Sequence, residues 1–348
     1  MTNSAWETLS NQAVAACGVV YFLALLAHLV EWSALRRLPV TAGSIPAAEA
    51  TRTADQGDGS VAVAEGGPAD PDTERRTALF GRLGLLLLVL ATAVHFVALL
   101  GRGMAADPNR VPWGNMYEFT LSGTFVVSLG YLLLYRKFQL AWMAPIVAFV
   151  EVGLLMAAVI WLHDEVAPLA EALNSPWLVL HVVSAVIATG AFTLGGITSV
   201  LFLLKERALR KGSTGGYLAR VPGPDRLDLI SYRMHAFAFP VWTFAALISG
   251  PIWAHQAWSS YWNWDPKEVW AFITWVVYAA YLHARATAGW KGRHAAILAL
   301  VGLATLWFNF IGINFFSTTS QHSYADAAPA IEAPAVPGLE AQGPPDAG

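Results

Sequence analysis

The sequence predicts an all-α fold: a polytopic membrane helix bundle of about eight transmembrane helices with both termini outside. Three observations predict it. Of 348 residues, 56% are hydrophobic and only 13% are charged, about half the roughly 25% charge of a soluble domain. The apolar residues gather in blocks of the ~20 that a helix needs to cross a core of roughly 30 Å, without the dyad alternation of a membrane barrel. The basic residues fall in alternate connections between those blocks. This composition excludes a soluble enzyme, a disordered chain and a nucleic-acid binder, which needs a basic face. With 21 basic against 24 acidic residues, net charge names no partner beyond the lipid bilayer. The single cysteine, Cys17, excludes a disulfide framework, a Cys-based zinc site and a C-x-x-C redox pair within the chain.

The spans are expected at about 12–35, 80–101, 117–135, 140–162, 177–204, 235–254, 267–284 and 295–316. The first lacks a basic n-region and an A-x-A-like site and is too long for an h-region, so it reads as a retained helix over 1–37 rather than a cleavable signal. Residues 38–79, rich in Ala, Gly, Pro and Asp, read as a disordered cytoplasmic linker, and 325–348 as a disordered external tail. The core is expected over 80–324. Span 4 carries Glu151 in its middle, which is costly unless paired with a buried polar group. Span 5 opens with Ser175-Pro176 and span 7 with Asp265-Pro266-Lys267-Glu268; both read as N-cap followed by Pro at the first helical position. Eighteen of 21 Lys and Arg lie in the connections 1–2, 3–4, 5–6 and 7–8. The other side keeps only Arg102, Arg110 and Lys267, and neither terminus carries any, so both ends lie outside.

The densest feature lies between spans 6 and 7, from Trp253 to Glu268. Trp253, Trp258, Trp262 and Trp264, with Tyr261, form a large, flat-sided apolar surface with N–H and O–H handles. An interfacial aromatic belt explains one or two Trp per helix end; the other reading is a platform for a planar, largely apolar ligand. Trp258 and Trp262, four apart, would share a face if the loop were helical. Asp265 reads either as the cap of span 7 or as part of the site. Nine histidines form the second feature, and an ionisable group in a span is a functional hypothesis by default. Neutral imidazole is an axial ligand for haem iron, and a porphyrin matches an aromatic platform. His181, in Ser175-Pro176-Trp-Leu-Val-Leu-His181, lies roughly 7 Å below the mouth of span 5. His322 follows span 8, so both approach the Trp loop from the outer leaflet. His283 ends span 7 near the inner face. The segment Pro112-Trp113-Gly114-Asn115-Met116-Tyr117-Glu118-Phe119 also lies outside, as an interfacial helix start or a cofactor contact. The outside cations would meet haem propionates or lipid phosphates.

The run Gly250-Pro-Ile-Trp253-Ala-His-Gln-Ala-Trp258-Ser-Ser-Tyr-Trp262-Asn-Trp264-Asp265-Pro-Lys-Glu268-Val-Trp270 resembles the tryptophan-rich WWD signature of haem-handling proteins. With Trp113-Gly-Asn-Met-Tyr-Glu-Phe119, Trp177-Leu-Val-Leu-His181, Tyr281-Leu-His-Ala-Arg285 and Gln321-His-Ser-Tyr324, it resembles the CcsA/ResC family of cytochrome c assembly, also called CcsB in some lineages. The resemblance runs from about residue 80 to 325. It implies delivery of haem b to apocytochrome c, and attachment there, outside the cell membrane beside a ResB-like partner. On that resemblance, His181 and His322 ligate the external haem iron, and His283 ligates haem within the membrane. Trp113, Trp253, Trp258, Trp262, Trp264 and Asp265 belong to the haem site. The family usually has Gly where this chain has Ser259, and commonly Asn-Glu where it has His255-Gln256. The intramembrane partner of His283 can come from the other subunit, which leaves His28 and His95 a weak claim. The resemblance assigns the chain no catalytic residue of its own: the thiols belong to the substrate, and the role is to bind and orient haem. Two other functions compete: a haem exporter without a ligase role, and a non-haem transporter whose histidines relay protons.

Overall fold

The structure, a computed structural model, describes residues 1–35, 71–167, 175–212, 217–317 and 320. Among the described residues eight long helices follow one another: α1 Asn3–Leu35, α2 Pro71–Ala105, α3 Met116–Phe138, α4 Ala144–Trp161, α5 Pro176–Arg210, α6 Pro224–Trp258, α7 Pro266–Thr287 and α8 Arg293–Phe316. A 3-10 turn, Leu140–Met143, leads into α4, and no described residue is in a strand. Large apolar side chains within the helices are left bare, with Leu86 67% and Leu133 72% exposed. A water-facing monomer rarely tolerates such patches, and lipid explains them.

Seven of the eight helices are long and apolar enough to cross a membrane; α7 is not apolar enough by its average. Its 22 residues would reach about 33 Å, so length is not the shortfall. Lys267, Glu268 and Arg285 lie at its ends, and Trp270, Trp275, Tyr278 and Tyr281 carry polar handles that lower its hydropathy. The helix forms where the sequence predicts it, but among the described residues seven helices rather than eight have the length and hydropathy of a span.

Two expectations change. Residues 71–79, assigned to the linker, form the first turns of α2: Pro71 starts the helix, and Asp72 and Glu74 occupy its first turn, where the helix dipole favours acidic side chains. The remainder of the linker and the tail lie outside the described residues. Glu151, expected to pair with a buried polar group, is 0% exposed, and neither carboxylate oxygen has a hydrogen-bond partner among the described residues.

Two of the four buried apolar clusters among the described residues make most of the interior. One joins α1–α4 and the middle of α5 through Tyr21, Leu88, Leu121, Val147 and Leu201. Within it, Tyr21 Oη donates to Ser128 Oγ at 2.9 Å, and Ser128 and Thr92 hydroxyls meet at 2.7 Å. The other packs Phe192 of α5 and Trp242 of α6 with Tyr278 of α7 and Leu306 of α8; the Phe192 and Tyr278 rings stack 3.8 Å apart. At the end of α7 away from the Trp loop, Arg285 grips Asp228 through two bonds of 2.8 and 2.9 Å. Asp228 also accepts the Gly292 N–H at 3.1 Å, which joins α6, α7 and the start of α8.

Candidate functional site

The site begins with breaks in two helices. Helix α6 passes through a π turn at Phe244–Ser249, and α8 through another at Phe308–Gly312. In α6 the cause is legible: Pro251 has no N–H for the i→i−4 ladder, and its ring crowds the carbonyl four residues back. The ladder widens there, and Gly250 N–H reaches Ala245 O five residues back. That carbonyl also accepts from Ser249 Oγ at 3.2 Å and from His181 Nδ1 at 2.9 Å.

His181 comes from α5, where the Ser175 hydroxyl accepts the Trp177 N–H at 3.2 Å and caps the helix as the sequence predicts. A carbonyl only accepts, so His181 Nδ1 carries the proton, and in the neutral ring the lone pair lies on Nε2. Gly250 makes room for the ring: a Cβ there would lie 3.1 Å from His181 Nδ1 and 3.0 Å from Ala245 O. On its other side the imidazole lies against Trp253, with ring centroids 6.0 Å apart and planes within 14°. Trp253 is fully buried, and Trp258 meets it edge-on at 4.9 Å.

His181, Trp253, Trp262 and Trp113 line one cavity, with about 1200 Å³ between its walls counted out to open solvent. Its lining is mostly apolar and includes Leu178, Val182, Ala185, Trp242, Ala246 and Leu306. The Trp cluster divides into three roles. Trp253, Trp262 and Trp113 form wall; Trp258 backs Trp253. Trp264 is 74% exposed, outside the lining, and touches Trp262 edge-on at 6.1 Å. The loop is not helical: α6 ends at Trp258, with Ser259 in the left-handed region at φ 58°. Trp258 and Trp262 therefore do not share a helix face. That conformation favours glycine, the residue expected here from the family resemblance.

Asp265 caps α7 as the sequence predicts. Its Oδ1 accepts Lys267 N–H at 2.8 Å, while Glu268 Oε2 accepts Asp265 N–H at 3.2 Å, a complete capping box. The same Asp265 oxygen accepts from Ser320 Oγ at 2.9 Å, which holds the chain after α8 against the Trp loop. His322 lies outside the described residues. His283 is exposed near the opposite end of α7, seventeen positions from Pro266 and so about 25 Å away along the helix. His28, His95 and His235 are buried, and none of them lines this cavity.

The Trp113 wall is held by a charge cluster. Glu118, fully buried, bonds Arg102 Nε at 3.1 Å and Arg110 Nη1 at 2.6 Å, and accepts Gly114 N–H at 2.7 Å. Arg102 also donates to Asp164 O and stands 3.7 Å from Glu7 of α1. Asn115 caps α3 by accepting Glu118 N–H at 2.8 Å, and Ser122 Oγ donates to Pro112 O at 2.8 Å. Of the three cations expected outside, Arg102 and Arg110 are taken up by Glu118, and only Lys267 lines the cavity. The sequence did not single out Trp242, Thr189, Asn309 or Phe310 as wall. The one available signal was Asn309, an amide inside the apolar run of α8. Together these residues suit a flat, mostly apolar ligand that presents a metal to an imidazole.

Residues 113–320 match the profile of the family described as Cytochrome C assembly protein. The cytochrome c biogenesis protein CcsA of Synechococcus sp. (strain CC9902) is 38% identical over 241 residues, covering 61% of this chain and 77% of that one. CcsA of Mesostigma viride is 33% identical over 269 residues, covering 71% and 86%. Among solved structures, the cytochrome c haem lyase CcmF has a similar fold, with a TM-score of 0.57 at 16% identity, over 89% of this chain and 46% of that chain. The chain thus spans about half the length of that protein.

Proposed function

Because this chain belongs to the cytochrome c assembly protein family, whose members are multi-pass proteins of cytochrome c biogenesis, we propose that it presents haem b on the outer face of the cell membrane and supports its covalent attachment to apocytochrome c beside a ResB-like partner. The observation that carries this reading is the His181 imidazole, with Nδ1 committed to Ala245 O at 2.9 Å and its ring against Trp253 in the cavity wall. A ligand histidine needs its second nitrogen occupied in this way, which fixes tautomer and orientation.

In this reading His181 and His322 hold the iron of the external haem, while Trp113, Trp253 and Trp262 form its walls. Ser320 on Asp265 supports the pairing, since it lies two positions before His322 in the sequence. Trp258 and Asp265 hold wall and loop in place, and Trp264, exposed beside the cavity, belongs to its rim. His283 serves an inner haem position; its exposure suits a second ligand supplied by the partner subunit. When bound, haem supplies vinyl groups across which substrate thiols add, with each thiol hydrogen passing to the vinyl group. Cys17 is buried, so the thiols are the apocytochrome's. The chain's own residues bind, orient and exclude water, which is catalysis by positioning. The outward orientation rests on the distribution of Lys and Arg.

The test is the absorption spectrum of the purified, haem-loaded protein, expected to be six-coordinate and low-spin. His181→Ala or His322→Ala should open one axial position, shift the spectrum and stop holocytochrome formation, with partial rescue by free imidazole. Wild-type spectra and normal maturation in both variants would defeat the reading. Haem bound in the expected state, with no holocytochrome formed in the partner's presence, would leave an exporter.

A further inference from the structure

Asn309 is the polar wall residue that the reading above leaves unused. It is 6% exposed and lies in the π turn of α8, lining the cavity with Leu306 and Phe310. Its Oδ1 is buried without a hydrogen-bond partner among the described residues. Buried amides are nearly always bonded, and this one can turn about its last bond to offer the cavity a donor or an acceptor.

Lys267 lines the same cavity. Its Nζ donates to Asn314 Oδ1 at 2.6 Å, and Asn314 is itself held by donating to Phe310 O at 2.6 Å. The ammonium is therefore fixed to α8, five positions from Asn309. Asp265 is an acidic neighbour whose charge acts on this ammonium. Asp265 Oδ1 accepts Lys267 N–H and Ser320 Oγ; Glu268 Oε2 accepts the N–H groups of Asn263 and Asp265 at 2.9 and 3.2 Å. Both carboxylates sit at the start of α7, where the helix dipole offsets their charge. A cation and an amide oxygen without a partner thus line the same, mostly apolar cavity.

We propose that Lys267 and Asn309 form a carboxylate subsite that takes a propionate of the porphyrin and so sets the in-plane rotation of the macrocycle in the cavity. This deepens the haem reading and rests on it. The subsite selects free-acid porphyrins over neutral ones and turns their apolar edge away from Lys267.

The experiment titrates the purified full-length protein with iron protoporphyrin IX and with its dimethyl ester, following the Soret band. Wild type should bind the free acid about tenfold more tightly, the scale of one hydrogen bond to a charged group. Lys267→Met and Asn309→Leu should each lose most of that preference while binding the ester as wild type does, and Lys267→Arg should keep it. The comparison in wild type needs no variant to fold. Equal affinity for acid and ester in wild type would overturn the subsite and leave the haem reading standing. Failure to bind either porphyrin would overturn both. Displacement of haem by oleate from wild type, but not from Lys267→Met, would give the carboxylate to a fatty acid and also overturn the proposal.

Discussion

An imidazole offered to a metal has to commit its other nitrogen first, and His181 does so through the Ala245 carbonyl, which the π turn of α6 presents while it still accepts the Gly250 N–H. Gly250 completes the arrangement, because any side chain there meets the ring and the carbonyl together. Gly250→Ala should weaken haem binding about tenfold, or roughly 1.4 kcal/mol, and shift the absorption spectrum. Thermal stability in detergent should not fall in step, since alanine gains up to about 1 kcal/mol over glycine in a helix. An unaltered spectrum would show that the ring needs no such room. The sequence made His181 and Gly250 conspicuous within their motifs. It could not show that they touch, because they lie 69 positions apart on different helices. Asn309 was harder still, since one amide in an apolar helix looks the same whether it faces a neighbour or a cavity.

At the scale of elements, the caps were legible and the interruptions were not. Ser175 and Asp265 cap α5 and α7 as expected, since a cap is a local pattern of a few residues. The π turns depend on which carbonyls find other donors, and Pro251 only hints at one of them. The segment before α3 carries a similar lesson: Trp113 reads as one more aromatic until Glu118 is seen to hold both flanking elements. Glu118→Ala would leave Arg110 without its carboxylate and Arg102 with only Glu7, 3.7 Å away. Breaking a buried charge cluster typically costs about 3–5 kcal/mol. The expected outcome is a lower thermal midpoint in detergent and a loss of haem occupancy through the displaced Trp113 wall. Glu118→Gln, which keeps the acceptor for Gly114, should retain more occupancy than the alanine variant. A stable Glu118→Ala protein with full haem content would refute the clasp.

For the whole molecule, the spans were readable because length and hydropathy are set by the bilayer rather than by tertiary contacts. Their orientation leads to a direct check. A membrane-impermeant thiol reagent applied outside should label Tyr261→Cys and leave Lys211→Cys protected; the reverse pattern would invert every statement about the outer face. Helix α7 stands apart in this scheme, since it alone among the eight lacks the apolar character to qualify as a span. Partition into lipid from the translocon follows each segment's own hydrophobicity, so α7 is a poor candidate for insertion by itself. It gains its place from the aromatic faces of α5, α6 and α8, and α8 is synthesised after it. The expected order of insertion is that α7 enters together with α8, which glycosylation mapping of chains cut after each helix would check. A chain cut between α7 and α8 would then lose more than its final helix; it would leave the helix that carries Asp265, Lys267 and His283 outside the bilayer.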